Sequence, residues 1–312
     1  MKKFIKYTGI AFLAASFLTA CTGAFEDMNT NPKGVTDEEL KQDGNYIGAH
    51  FVPMMKSVYY NTSGGNWEFQ LTQNLHADMF SGYMSSINPF NGNVNNMTYS
   101  MNAGWNDYCW DYAYNTVMSE CLKAQKKCAE DPDTYAHFNA ISTIIRVLAM
   151  SRTADQYGCI IYSEYGKSAT GGKYDAGDVV YKAFFKELKE AADLLPVTYS
   201  GDNWGRITKG AALAYCARIQ LYRASPMFNP SNEKKYWEDA YDTYKDVIGL
   251  DVYDLHPTFS DIWKEKGENN KEIIWFKDYK KGTITHGWDA GNMMRSQAVG
   301  DATANCPVQE LV

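Results

Sequence analysis

Apolar residues return every three to four positions in one segment after another. They include Ile47, Phe51, Met54/Met55 and Val58; Trp67, Leu71 and Leu75; Phe138, Ile141, Ile145 and Leu148; Val180, Phe184, Leu188 and Leu195; and Trp237, Tyr241, Tyr244 and Ile248. That spacing gathers them on one side of a helix with 3.6 residues per turn. A further helix starts near Trp105 and carries Tyr108, Tyr112, Thr116 and Leu122 as far as Lys127. Each apolar stripe needs a neighbour to cover it. The breaks between segments are short: Gly64-Gly65, Asp131-Pro132-Asp133, Gly158 and Pro196. Glycine and proline end helices locally, and short connections turn the next helix back along the previous one.

The expected class is therefore all-α, mostly helical, built of tetratricopeptide-like helix hairpins with long loops and a few short strands. Thr36 and Glu39 form a capping-box pattern that opens the first helix. Thr208 is expected to cap a helix with Ala211, Ala214 and Ala217 on one side, where small side chains let a neighbour approach closely. Glu272–Phe276 is the clearest strand candidate.

Two stretches escape the helical pattern. Residues 82–104 and 278–305 are rich in Gly, Asn and Ser and hold embedded aromatic rings. Long loops in compact domains often carry function. A sugar site commonly combines an aromatic face for the C–H side of the ring with amides or Arg for the hydroxyls. The candidates of those types are Phe90, Asn91, Asn93, Asn95 and Tyr99 in the first stretch, and His286, Trp288 and Arg295 in the second. Asn and Gly also build turns, so the same residues suit loop formation.

The N-terminus sets the location. Lys2, Lys3 and Lys6 precede an apolar run from Ile10 to Leu18, and Leu18-Thr19-Ala20-Cys21 follows. The run is too short to span a bilayer and has the form of an export signal. A cysteine directly after Leu-Thr-Ala is similar to a bacterial lipobox, which predicts cleavage before Cys21 and lipid on that residue. The expected organisation is a signal over 1–20, a lipid-anchored tether over 21–35 and one helical domain over 36–312, cut short at its C-terminal end. Losing the signal leaves 27 basic against 37 acidic residues, a formal charge of −10. Such a chain has no electrostatic reason to bind nucleic acid.

Little points to catalysis. The five histidines form no zinc pattern, and Cys-x-x-Cys, a phosphate-cradling glycine loop and Gly-x-Ser-x-Gly are all missing from the sequence. No metal site and no cofactor are expected. A glycosidase needs two carboxylates about 5–10 Å apart, and none of the 37 acidic residues stands out as a pair. Asp131/Asp133 and Asp175/Asp178 have the look of breaks and caps. Besides Cys21 there are six cysteines. A chain of this length needs no disulfide framework to hold a core, and small buried thiols are expected. Cys121 and Cys128, about 10 Å apart along a helix, are too distant to bridge.

Several stretches together resemble the SusD/RagB family of outer-membrane lipoproteins. They are Phe25–Pro32 behind the lipobox; Ile144–Gly158 with Tyr165-Gly166; Val180-Tyr181 through Leu194-Leu195-Pro196; Gly205-Arg206-Ile207-Thr208-Lys209-Gly210-Ala211-Ala212, running on to Ser225-Pro226; and Asn270–Trp275. The Gly205–Ala212 block is the most specific. The resemblance implies a non-enzymatic lipoprotein, anchored through Cys21 and facing the cell exterior. It would bind an oligosaccharide, sometimes a peptide, and deliver it to a SusC-like TonB-dependent transporter. A surface glycoside hydrolase and a peptide-binding or scaffold lipoprotein of the same fold are the alternatives.

Overall fold

A helix that is apolar on several sides belongs in the middle of a fold, and Ala136–Tyr157 is such a helix. Ile144, Ile145, Val147 and Met150 on it are fully buried. The computed structural model describes residues 41, 45–56, 70–86, 96–100, 106–167, 172–263, 270–277 and 305–307. The signal, the tether and the Thr36 capping box lie outside the described residues.

The chain forms two compact units, Met1–Tyr46 and Ile47–Val312. In the first, Lys41 Nζ stands 4.6 Å from the centroid of the Tyr46 ring. The second carries the core. Its elements run in order as α1 (Asn45–Lys56, from Ile47 on), a π-helical segment Gln70–Ala77 leading into α2 (Asp78–Ser81), β1 (Met84–Ser86) and a 3-10 turn at Asn96–Thr98. Then come α3 (Tyr108–Tyr112), a second π-helical segment Ala113–Met118, α4 (Ser119–Cys128) and α5 (Ala136–Tyr157). The series ends with α6 (Gly177–Asp193), α7 (Lys209–Ala224), α8 (Lys234–Ile248) and β2 (Asn305–Pro307). From α4 to α8 each helix packs on the one before it, as hairpin connectivity requires.

Local chemistry accounts for the helix ends. Gly158 stops α5 with a positive φ of 78° while its N–H bonds the Ala154 carbonyl. Thr208 caps α7 as expected, its Oγ1 accepting from the Ala211 N–H at 3.2 Å. Asp131 shapes the α4–α5 turn by accepting from the Thr134 N–H. The loop after α5 is held by Asp175, whose carboxylate accepts from the Tyr162 N–H, the Ser163 N–H and the Ser163 hydroxyl. Burial raises the pKa of that carboxyl, but the Ser163 and Tyr162 bonds outweigh burial and leave it below the ordinary value.

The π-helical segment at Ala113–Met118 widens the turn and buries Tyr114. Tyr114 Oη donates to the Ile161 carbonyl and accepts from the Ile161 N–H, which pins the loop to the helix. Beside the core, Arg146 on α5 pairs with Glu187 on α6 at 2.7 Å and bonds Gln125 on α4 at 2.9 Å. Cys109, Cys121, Cys128 and Cys216 are buried free thiols, as expected, and Cys159 is exposed. Burial pushes the Cys121 and Cys216 thiols up to about 12 and Cys128 to about 11.

Two expectations need correcting. The buried side of α8 is Ala240, Thr243 and Val247. Trp237 (40% exposed), Tyr241 (63%) and Ile248 (76%) face outward, with Tyr244 half-buried. The reason is close approach: α7 packs on α8 and carries the buried small residues Ala217 and Ala224 seven apart on one side, and a bulky Trp/Tyr stripe on α8 would hold the helices apart. Glu272–Phe276 is not a strand. It has no partner strand among the described residues. Instead it follows a turn in which Asn270 Oδ1 accepts from the Glu272 N–H, and Ile274 and Trp275 pack on the core.

Candidate functional site

The loop around Tyr99 is built on one buried amide. Asn96 is 2% exposed, and its Nδ2 donates to the Leu75 carbonyl at 2.5 Å. Its Oδ1 accepts from Asn106 Nδ2 at 3.2 Å, and its carbonyl accepts from the Tyr99 N–H. A buried amide satisfied this way fixes its loop. Tyr99 itself takes a left-handed backbone (φ 54°) and leaves its ring 77% exposed. Its neighbour is Phe80 on α2, with ring centroids 6.4 Å apart. Phe80 in turn makes an edge contact with His76 at 5.0 Å. Burial lowers the His76 pKa, so the imidazole is neutral at pH 7. The next turn, with Gly82 at φ 71°, presents Tyr83, 63% exposed.

Tyr99 is the one expected ligand residue among those described. Phe90, Asn91, Asn93, Asn95, His286, Trp288, Arg295 and the lipid-bearing Cys21 lie outside the described residues. The structure does join the two loop stretches at their edges. β1 pairs antiparallel with β2, in the register Met84↔Pro307, Ser85↔Cys306 and Ser86↔Asn305. The segment that leaves β1 and the segment that enters β2 are the two stretches rich in Asn, Gly and aromatics.

Sequence reasoning missed Phe80 and the anchoring role of Asn96. Phe80 lies four residues past His76, a helical spacing that could have paired them. Asn96 carries no local signal, because every second residue near it is also Asn. Among the described residues no group of His, Cys, Asp or Glu is arranged to hold a metal ion. His50 bonds Glu120 and His256 bonds the Thr258 backbone. Among the described residues no helix is long and apolar enough to cross a membrane.

A stack of helix hairpins, each helix packed on the one before it, defines a helical-repeat protein. Residues 27–208, more than half of the chain, match the SusD-like family, described as Susd and RagB outer membrane lipoprotein, and the chain belongs to that family. Solved structures agree. The chain is 30% identical to a chitin-binding SusD homolog from Flavobacterium johnsoniae, over 63% of this chain and 42% of that one, with a TM-score of 0.51. A SusD homolog from Bacteroides vulgatus is 26% identical over 67% of this chain and 43% of its own, with a TM-score of 0.54. A SusD superfamily protein from Parabacteroides distasonis shares the fold at a TM-score of 0.66, with 16% identity over 89% of this chain and 59% of its own. The chain thus spans less than two thirds of the length of these relatives. Among curated proteins no relative matches it.

Proposed function

We propose that this protein is a non-enzymatic, lipid-anchored glycan-binding protein of the outer membrane. It holds an oligosaccharide on the outer face of the cell and delivers it to a SusC-like TonB-dependent transporter. Cys21 carries the lipid, and the helical repeats pack against the transporter. The observation that supports this best is Tyr99: a ring anchored through a buried amide yet left facing solvent beside Phe80. A backbone held in place beneath an exposed ring loses little freedom on binding, and that favours ligand recognition. The similarity to a chitin-binding homolog makes oligosaccharides of amino sugars the first ligands to try.

The test is calorimetry of the full mature chain against a panel of oligosaccharides that includes chitin fragments. Binding of at least one is expected. Tyr99→Ala should weaken it about 2- to 10-fold, the worth of one aromatic contact at about 0.5–1.5 kcal/mol. Release of reducing ends would replace this reading with a hydrolase. Binding of peptides but of no glycan would replace it with a peptide carrier.

A further inference from the structure

The loop between α6 and α7 meets the segment Ile273–Phe276 around a cavity of about 140 Å³. That is close to the roughly 150 Å³ of a cavity able to admit one six-membered ring. Trp204 and Phe276 stand at it as a tilted pair, centroids 4.9 Å apart at 42°. Trp204 is 38% exposed, so the cavity reaches the surface. Four hydroxyl-bearing residues line it: Thr198, Tyr199, Thr208 and Tyr253.

Its charge is unusual for this chain. Acidic residues outnumber basic ones 37 to 30, yet among the described residues no carboxylate lines the cavity and Arg206 is the single charged one. Among the described residues Arg206 makes no ion pair, whereas Arg146 has Glu187. Burial raises the Tyr199 pKa and the nearby Arg206 guanidinium partly offsets it. Tyr199 therefore keeps its proton at pH 7 and can donate it.

The walls are already in place. Gly205 holds φ at +86°, a region side chains avoid, and it separates Trp204 from Arg206 in a turn closed by the Arg206 N–H to the Asn203 carbonyl. The Tyr253 and Thr208 hydroxyls lie 3.2 Å apart. The opposite wall is tied down by Asn270, 3% exposed, whose Nδ2 donates to the Ile262 carbonyl, and by Glu272, which accepts from the His256 N–H.

We propose that this cavity is a second ligand site, separate from the Tyr99 loop, and that it takes one acidic sugar residue of the uronate type. The ring's C–H face stacks on Trp204, its hydroxyls bond Tyr199 and Tyr253, and its carboxylate pairs with Arg206. A planar guanidinium matches a carboxylate in two parallel hydrogen bonds. The aromatic pair adds a face that a bare inorganic anion cannot use. The expected order is therefore uronate above neutral sugar and above phosphate.

The experiment is calorimetric titration of the full chain with methyl glucuronide, its methyl ester, methyl glucoside and inorganic phosphate. The glucuronide should bind, with the ester and the glucoside at least about tenfold weaker, the scale of a lost charged hydrogen bond. Arg206→Gln, at an exposed position, should cost the same factor with an unchanged melting temperature. Trp204→Ala should weaken the glucuronide and leave phosphate unaffected. Tyr99→Ala should leave the glucuronide unaffected, which separates this site from the one proposed above. The inference fails if no glucuronide binds, if ester and acid bind alike, if phosphate binds as tightly as glucuronide, or if Arg206→Gln changes nothing.

Discussion

Gly210 lies in the first turn of α7, inside the Gly205–Ala212 block, and the Tyr253 ring rests on it. A Cβ at this position would stand 2.2 Å from Tyr253 Oη, 2.5 Å from Cε2 and 2.7 Å from Cζ. Helix propensity alone predicts that Gly210→Ala stabilises α7 by up to about 1 kcal/mol. The contact distances oppose this, because the ring has to leave. Forcing an extra carbon into a packed site costs about 1–3 kcal/mol. Losing the bond between the Tyr253 and Thr208 hydroxyls adds about 1 kcal/mol. The net expectation is destabilisation by about 1–3 kcal/mol. The decisive measurement is a double-mutant cycle by urea unfolding. With Tyr253→Ala the obstacle is gone, so adding Gly210→Ala should then stabilise, reversing the sign. Equal effects in both backgrounds, or a stabilised single variant, would refute the reasoning.

Two more expectations follow from groups already described. Asp175 has a folded pKa below its ordinary value. Its contribution to stability is therefore present above about pH 4 and disappears as pH falls through the folded value. Urea midpoints of wild type and Asp175→Asn should differ at pH 7, and the gap should close as pH falls below the folded value; a constant gap would contradict this. Among the five described free cysteines, Cys159 alone is exposed. A thiol reagent at neutral pH should modify it quickly, and Cys159→Ser should remove that fast reaction, while Cys109, Cys121, Cys128 and Cys216 react only in denaturant. Rapid labelling of Cys121 by mass spectrometry would count against the packed core.

How much could be read in advance depends on how local the cause is. The helices at Ala136–Tyr157, Gly177–Asp193 and Lys209–Ala224 follow from periodicity and from residues that start or stop them. Thr208 is a clear case, since its capping bond spans three residues. Buried thiols followed from size and polarity. The candidate site was legible only as a region: both loop stretches were recognisable by composition, and Tyr99 proved exposed. Asn96 was not legible, because its partner Leu75 is 21 residues away and nothing in an Asn-rich loop marks which amide will be buried.

By itself the amino-acid sequence determined the helices from Ala136 to Ile248, their order and the Thr208 cap, because these depend on backbone preferences and on neighbours within a turn. Only the tertiary structure decided which side of α8 faces inward, since that depended on how closely small residues let α7 approach. It also decided that Glu272–Phe276, extended in character, lacks a partner strand among the described residues and packs its side chains against helices. And it brought Trp204, Arg206 and Phe276 to one cavity, though Phe276 is 70 residues or more beyond the other two. Contacts of that range are set by the shape of the packed whole, and no local pattern carries them.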